Sequence, residues 1–207
     1  MTKLTIFSLP HKLIMQSFID FKSSLRADHF RNFGKVRSSI LFKLFDRKYK
    51  LLFLFRLCHF IYHFRTQHVI FKIIYKFFLF FYNRIQSKFC VEIDPRTQIG
   101  KGLFLPHPNS IIVHPDVIIG ENCTILQQVT IGNDLFKGEN DLAVIKNNVL
   151  IGAGAKIIGP CSIGNNVTIG ANSVVVRDVD CDQVVGGIPA RHLSSKVSVV
   201  HNYFSGN

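Results

Sequence analysis

No two of the five cysteines (Cys58, Cys90, Cys123, Cys161, Cys181) stand at the CxxC spacing of a zinc site, and their odd number and wide separation exclude a dense disulfide framework. A reducing compartment is the expectation. The first ten residues carry only Lys3 ahead of a short apolar stretch and no small-residue cleavage site, so they do not read as a secretory signal. A bilayer-spanning helix needs roughly 20 mostly uncharged residues. The two most apolar runs, 50–64 and 69–82, are broken by Arg56 and by Lys72 and Lys76, so neither reads as a span. Acid is almost missing from the front of the chain: residues 1–90 hold only Asp20, Asp28 and Asp46 against 17 of the 25 Lys and Arg.

What fills the front is cation and aromatic. The same 90 residues carry 17 of the 20 Phe, whereas the remainder is slightly acidic although the whole chain has a formal charge of +12. So sharp a change in composition divides the chain into a basic, Phe-rich helical segment (1–88), a second unit (89–193) and a polar tail (194–207). The runs at 50–64 and 69–82 lack Pro and Gly and read as helices. Phe-rich faces with Lys and Arg able to snorkel suit an in-plane contact with a membrane surface through residues 50–82. The same faces equally suit a helical hairpin packed on itself, on the second unit or on a neighbouring subunit. Basic and aromatic residues together can also stack on bases, but no recognisable nucleic-acid module is present, so nucleic acid is not an expected partner. The expected location is cytoplasmic, with peripheral attachment at the inner face of the cytoplasmic membrane as the form a membrane contact would take.

The second unit repeats. An aliphatic residue recurs every six positions at Ile93, Ile99, Leu105 and Ile111, again at Ile119, Ile125 and Ile131, and again from Ile145 to Val175. The phase slips by two between Ile111 and Ile119, and slips again between Ile131 and Ile145. A second small or aliphatic residue stands two places earlier, as at Val117, Cys123, Val129, Val149, Ala155, Cys161 and Val167. A helix would show a period of 3.6 and an ordinary strand a period of two. Six is the period of short strands joined by tight corners, each turning one large and one small side chain into a prism-shaped interior. Gly after the large residue and Asn pairs such as Asn147-Asn148 and Asn165-Asn166 mark the corners, where positive φ is tolerated. The fold expected is mainly β, a parallel β-helix behind an α-helical N-terminal segment.

The segments IGKGLFLPHPNSIIVHPDVIIGENCTILQQVTIG, NNVLIGAGAKIIGPCSIGNNVTIGANSVVVRDV and VVGGIPARHL resemble the hexapeptide-repeat acyltransferases, in particular their serine acetyltransferase branch. The resemblance covers about residues 91–193. It implies a left-handed coil, acetyl-CoA as cosubstrate in a groove between adjacent β-helices, and a homotrimer that can pair into a hexamer. It also implies that His107, in Leu-Pro-His-Pro, is the catalytic base. Such a base takes the proton of an acceptor hydroxyl as the oxygen attacks a thioester, a task for a group titrating near neutrality. His114, Asn109 and Asp116 are candidates for the acceptor pocket, His114 being equally readable as a solvated corner residue. Gly152, Ala153, Gly154 and Ala155 would let the backbone approach the pantetheine arm, with Lys156 and Arg191 offered to the phosphates of coenzyme A. No metal is expected, since His107, His114 and the distant His192 lack the spacing of a three-histidine zinc site.

Two positions depart from the serine acetyltransferase pattern. The acid before the catalytic histidine is Pro106, and the second histidine falls on Leu142, preceded by Asp141. With the short, cationic front segment, these departures point to a polysaccharide O-acetyltransferase acting on sugar hydroxyls. L-Serine O-acetyltransferase is the alternative, and a non-catalytic β-helix scaffold is the second. The stretch 133–144 is expected to project as a lid or acceptor-selecting loop.

Overall fold

A repeat that turns one aliphatic inward per strand can bury that residue only if successive coils stack in register. In the computed structural model, which describes residues 11–34, 46–134 and 142–195, they do. Among the described residues three helices come first: α1 (His11–Phe33), α2 (Arg47–Tyr62) and α3 (Val69–Phe89). The Asp46 carboxylate caps α2 by accepting from Tyr49 N at 3.0 Å. Cys90 ends α3 in the left-handed region at φ 51°.

Twelve short strands then wind the solenoid. β1 (Glu92–Ile93), β3 (Ile112–Val113), β6 (Thr130–Gly132), β9 (Lys156–Ile158) and β12 (Val174–Val175) stack as one parallel face. β2 (Gln98–Ile99), β4 (Ile118–Ile119), β7 (Val144–Ile145) and β10 (Ser162–Ile163) form the second. β5 (Thr124–Ile125), β8 (Leu150–Ile151) and β11 (Thr168–Ile169) form the third, extended by β13 (Val184–Gly187) and the antiparallel β14 (Ala190–Ser194). The result is a left-handed parallel β-helix of hexapeptide repeats behind an α-helical front, as expected. Ile119, Ile145 and Ile163 stack up one face, and Ile125, Ile151 and Ile169 up another, all buried. Asn148 Nδ2 donates to Asn166 Oδ1 at 3.0 Å, and Asn166 Nδ2 to Asp182 Oδ1 at 2.8 Å, so one corner carries a side-chain ladder. All three of these residues have positive φ.

The register moves one expected slip. Val113, not Ile111, pairs with Ile131, so the two extra residues lie in 106–110, ahead of Ile111. Ile111 occupies the smaller inward position, level with Val129, whose carbonyl accepts from Ile112 N at 2.9 Å. A count of six from Leu105 reaches it only because that position is also aliphatic. The second slip holds: Ile131 pairs with Ile157, 26 positions on, against 18 between Ile157 and Val175. Of the inserted loop, residues 135–141 lie outside the described residues.

The first coil has no coil before it, and the helices take its place. Asp28 Oδ1 accepts from Gly102 N and Leu103 N, each at 2.8 Å. Arg56 donates to Ile99 O at 2.6 Å and Gly100 O at 2.7 Å, and pairs with Asp28 at 2.7 Å. Both charged side chains are almost fully buried, at 4% and 3% exposure. From α3, Tyr82 Oη donates to Ile93 O and Gln86 Oε1 accepts from Ile93 N, each at 2.8 Å. α2 also turns Leu51, Leu52, Phe55, Cys58 and Ile61 inward, so the helical front is one body with the solenoid.

Removing one member of a buried, hydrogen-bonded ion pair typically costs about 3–5 kcal/mol, because the other charge stays buried alone. Arg56→Met is expected to destabilise the fold by that amount in urea unfolding. Exposed Arg96→Met, whose pair with Asp94 lies in water, should change stability by under about 1 kcal/mol.

Candidate functional site

His107 sits in the two-residue bulge that the register reveals, between Pro106 and Pro108, whose rings fix φ on either side. Its ring is exposed and makes no hydrogen bond among the described residues. The backbone around it is held from three sides, by one helix each. Asn32 of α1 accepts from Leu105 N at 3.2 Å and donates to Leu103 O at 2.8 Å. Lys48 of α2 donates its ammonium to Pro106 O. The carbonyl of Phe89, last residue of α3, accepts from Ser110 N at 3.0 Å, and Ser110 itself has φ 53°. From the next coil, Gln128 N donates to Asn109 O at 2.9 Å. His107 thus joins a ring with no hydrogen bond among the described residues to a backbone held on both sides.

The other acceptor-pocket candidates divide. Asn109 shares the loop, exposed, with its side chain accepting from Ser110 Oγ at 2.8 Å. His114 lies on the far side of β3, where Asp116 N donates to its Nδ1 at 3.3 Å and the Asp116 carboxylate stands 3.9 Å away. No hydrogen bond or ion pair among the described residues joins His107 to Asn109, His114 or Asp116. Leu142, at the position of the second histidine, packs its side chain on the hydrophobic core.

The Gly152–Lys156 run has strong architectural reasons to be what it is. A Cβ on Gly152 would lie 2.6 Å from Ala171 N of the next coil, and Gly154 turns a corner at φ +74°. Ala155 is fully buried in the small inward position, so only its backbone could meet a ligand. Ala153 is partly exposed at the surface between these two glycines. Lys156 Nζ is tied to Gln128 O at 2.6 Å and Thr130 Oγ1 at 3.1 Å, close to the residue that braces the His107 loop. Arg191 is exposed on β14, level with Gly186 and without a bonded partner among the described residues. Burial pushes the Cys58 thiol up to about 12 and the Cys123 and Cys161 thiols up to about 11, so all three are neutral core residues rather than nucleophiles. Among the described residues there is no group of three or more His, Cys, Asp or Glu able to hold a metal.

The chain is similar to the hexapeptide-repeat acyltransferases, on their serine-acetyltransferase-like branch. The family model of the bacterial transferase hexapeptide (six repeats) matches residues 142–177. A serine acetyltransferase of Synechococcus elongatus is 36% identical over 101 residues, 49% of this chain and 41% of that protein. The chain thus spans less than half the length of this curated relative. Among solved structures, serine acetyltransferase of Brucella abortus strain S19 in complex with coenzyme A superposes with a TM-score of 0.69 at 26% identity, over 89% of this chain and 72% of that one. The Neisseria gonorrhoeae serine acetyltransferase in complex with serine gives 0.67 at 29%, over 87% and 70%.

These likenesses overturn the expectation of a polysaccharide acceptor. The solenoid is about half the chain, so an 87–89% superposition must include the helices as well. The cationic, Phe-rich front that set the chain apart by composition is thus part of the shared architecture. Pro106 and Leu142 alone remain as departures, and two side chains do not outweigh that extent of likeness.

Asn32→Ala strips the first coil of two hydrogen bonds and leaves Leu103 O and Leu105 N unpaired. The expected cost is about 1–3 kcal/mol. Amide hydrogen exchange across residues 103–110 should quicken roughly tenfold or more, while exchange in β8 and β11 should not change beyond the global shift.

Proposed function

We propose that this protein is an L-serine O-acetyltransferase, moving an acetyl group from acetyl-CoA to the serine hydroxyl with His107 as general base. The observation that carries the reading is the His107 loop: an imidazole without a hydrogen bond among the described residues, at a bulge early in a regular solenoid and braced by α1, α2 and α3. The likeness over helices and solenoid to serine acetyltransferases that bind coenzyme A and serine supports the two substrates.

In the proposed reaction, His107 accepts the hydroxyl proton as the serine oxygen attacks the thioester carbonyl. The tetrahedral intermediate collapses, and the imidazolium returns the proton to the departing coenzyme A thiolate. A nearby carboxylate would ordinarily hold such an imidazole in one orientation. Pro106 takes that place here, so orientation falls to the backbone, through the flanking prolines and the Lys48 bond to Pro106 O. Asn109, His114 and Asp116 are the groups proposed to meet the amino acid, and Arg191 the free cation for the phosphates of coenzyme A. Lys156, already bonded twice, would serve chiefly to hold Gln128 and Thr130 in place. The groove for acetyl-CoA is proposed to lie between neighbouring copies in a homotrimer, where the partly exposed Ala153 and Gly154 backbone can approach the pantetheine arm.

Thiol release from acetyl-CoA should depend on L-serine and fall by about 10²–10⁴ in His107→Ala, with acetyl-CoA binding retained. Lys48→Met should lower kcat and leave the KM for acetyl-CoA unchanged, since it loosens the base and not the cofactor groove. Coenzyme A binding without serine-dependent turnover would overturn the acceptor. Loss of both would leave a β-helix scaffold.

A further inference from the structure

The third helix is apolar on both sides. Tyr75, Phe78, Leu79, Tyr82 and Ile85 pack toward α2 and the first coil. The opposite side carries Ile70, Ile73, Phe77, Phe80 and Phe81, between 45% and 58% exposed. At 100° per residue these five fall on one stripe. Five large apolar side chains on one exposed stripe are far more than scattered surface hydrophobics, and such a patch marks an interface.

Charge decides what covers it. Lys72 and Lys76 run along one margin of the stripe, and Arg84 and Lys88 continue it toward the C-terminal end. Arg84 stands 5.8 Å from the Phe80 ring. α3 has no acidic residue, α2 has none, and α1 has only Asp20 and Asp28, the second consumed by Arg56. A second copy laid face to face on this stripe would set eight cations against one another with no carboxylate on the helix to answer them. An anionic lipid surface answers them all: the rings enter the acyl boundary and the long basic side chains reach back to the headgroups. No helix among the described residues is long and apolar enough to cross a membrane, so the contact is in-plane. The expected range of 50–82 shifts accordingly to 70–88, because α2 uses its own apolar face inside the protein.

We infer that the outer face of α3, from Ile70 to Lys88, docks the protein on the surface of an anionic lipid bilayer. This surface is independent of the acceptor assigned above.

The test is flotation of the full-length protein with vesicles of phosphatidylcholine alone and of phosphatidylcholine with 30% phosphatidylglycerol. The expected result is binding to the anionic vesicles only, weakened as salt is raised. Lys72→Gln with Arg84→Gln should lower the partition coefficient about fivefold for each charge removed. Phe77→Ser with Phe81→Ser should abolish flotation. Both double variants alter exposed side chains, and an unchanged circular dichroism spectrum and thermal unfolding curve report that each remains folded. Equal binding to both vesicle types, or unaltered binding by the charge variant, would overturn the inference. So would no flotation at all, joined to a sedimentation-velocity assembly that the Phe variant dissolves, since the stripe would then belong to a second copy.

Discussion

A stack of parallel coils has two ends, and each end bares backbone groups that the interior pairs coil to coil. The first coil of this protein resolves that constraint through side chains from the helices before it. Asp28 supplies the acceptors that a preceding strand would have offered to Gly102 and Leu103, and Arg56 supplies donors to Ile99 and Gly100. The two are neutralised by each other, which is what allows both to be buried. From this arrangement follow the docking of α1 and α2, the shape of the Leu103–Ser110 segment and the orientation of α3. At the other end the antiparallel β14 closes the stack instead.

The solenoid was legible because its rule is one-dimensional. Each inward isoleucine needs only the coil above and below, so spacing along the sequence maps directly onto stacking. The rule misled at Ile111, where the large and small inward positions are both aliphatic and a two-residue bulge hides in the count. Pairing of Val113 with Ile131 relocates it. α1 went unread because its residues are mostly polar and its contribution is made through Asp28 and Asn32 rather than an apolar stripe. Its end carries a signal all the same: Gly34, at φ +67°, is the residue type that closes helices.

The site was legible only in part. His107 could be found from its motif, but what holds it comes from Asn32 and Lys48, 75 and 59 positions away along the chain, and no local pattern links such partners. Composition was the weaker guide. It marked a basic, aromatic front apart from a nearly neutral remainder, and it pointed to the wrong acceptor because a patch of charge says nothing about how the segment beneath it is packed. Asp28 and Arg56 look in the sequence like two more surface charges, and they are the least exposed ionic groups described in the chain. Leu142 looks like a lost catalytic residue, and it is a core-packing one.

The carboxylate of Asp28 stands in for a strand, and that substitution fixes the polarity of growth. Coils can be added or lengthened downstream, as the inserted stretch between β6 and β7 illustrates, without disturbing the register on either side. At residues 99–103 the partners of the backbone are the side chains of Arg56 and Asp28 and not a repeating backbone, so a coil inserted there would separate them from the groups they pair. A solenoid cut free of its helices would present a bare parallel edge, whose natural complement is the far end of another solenoid once β14 is displaced. The helical front is thus also a terminator: it keeps a structure whose every internal contact is repeatable from propagating into a fibre.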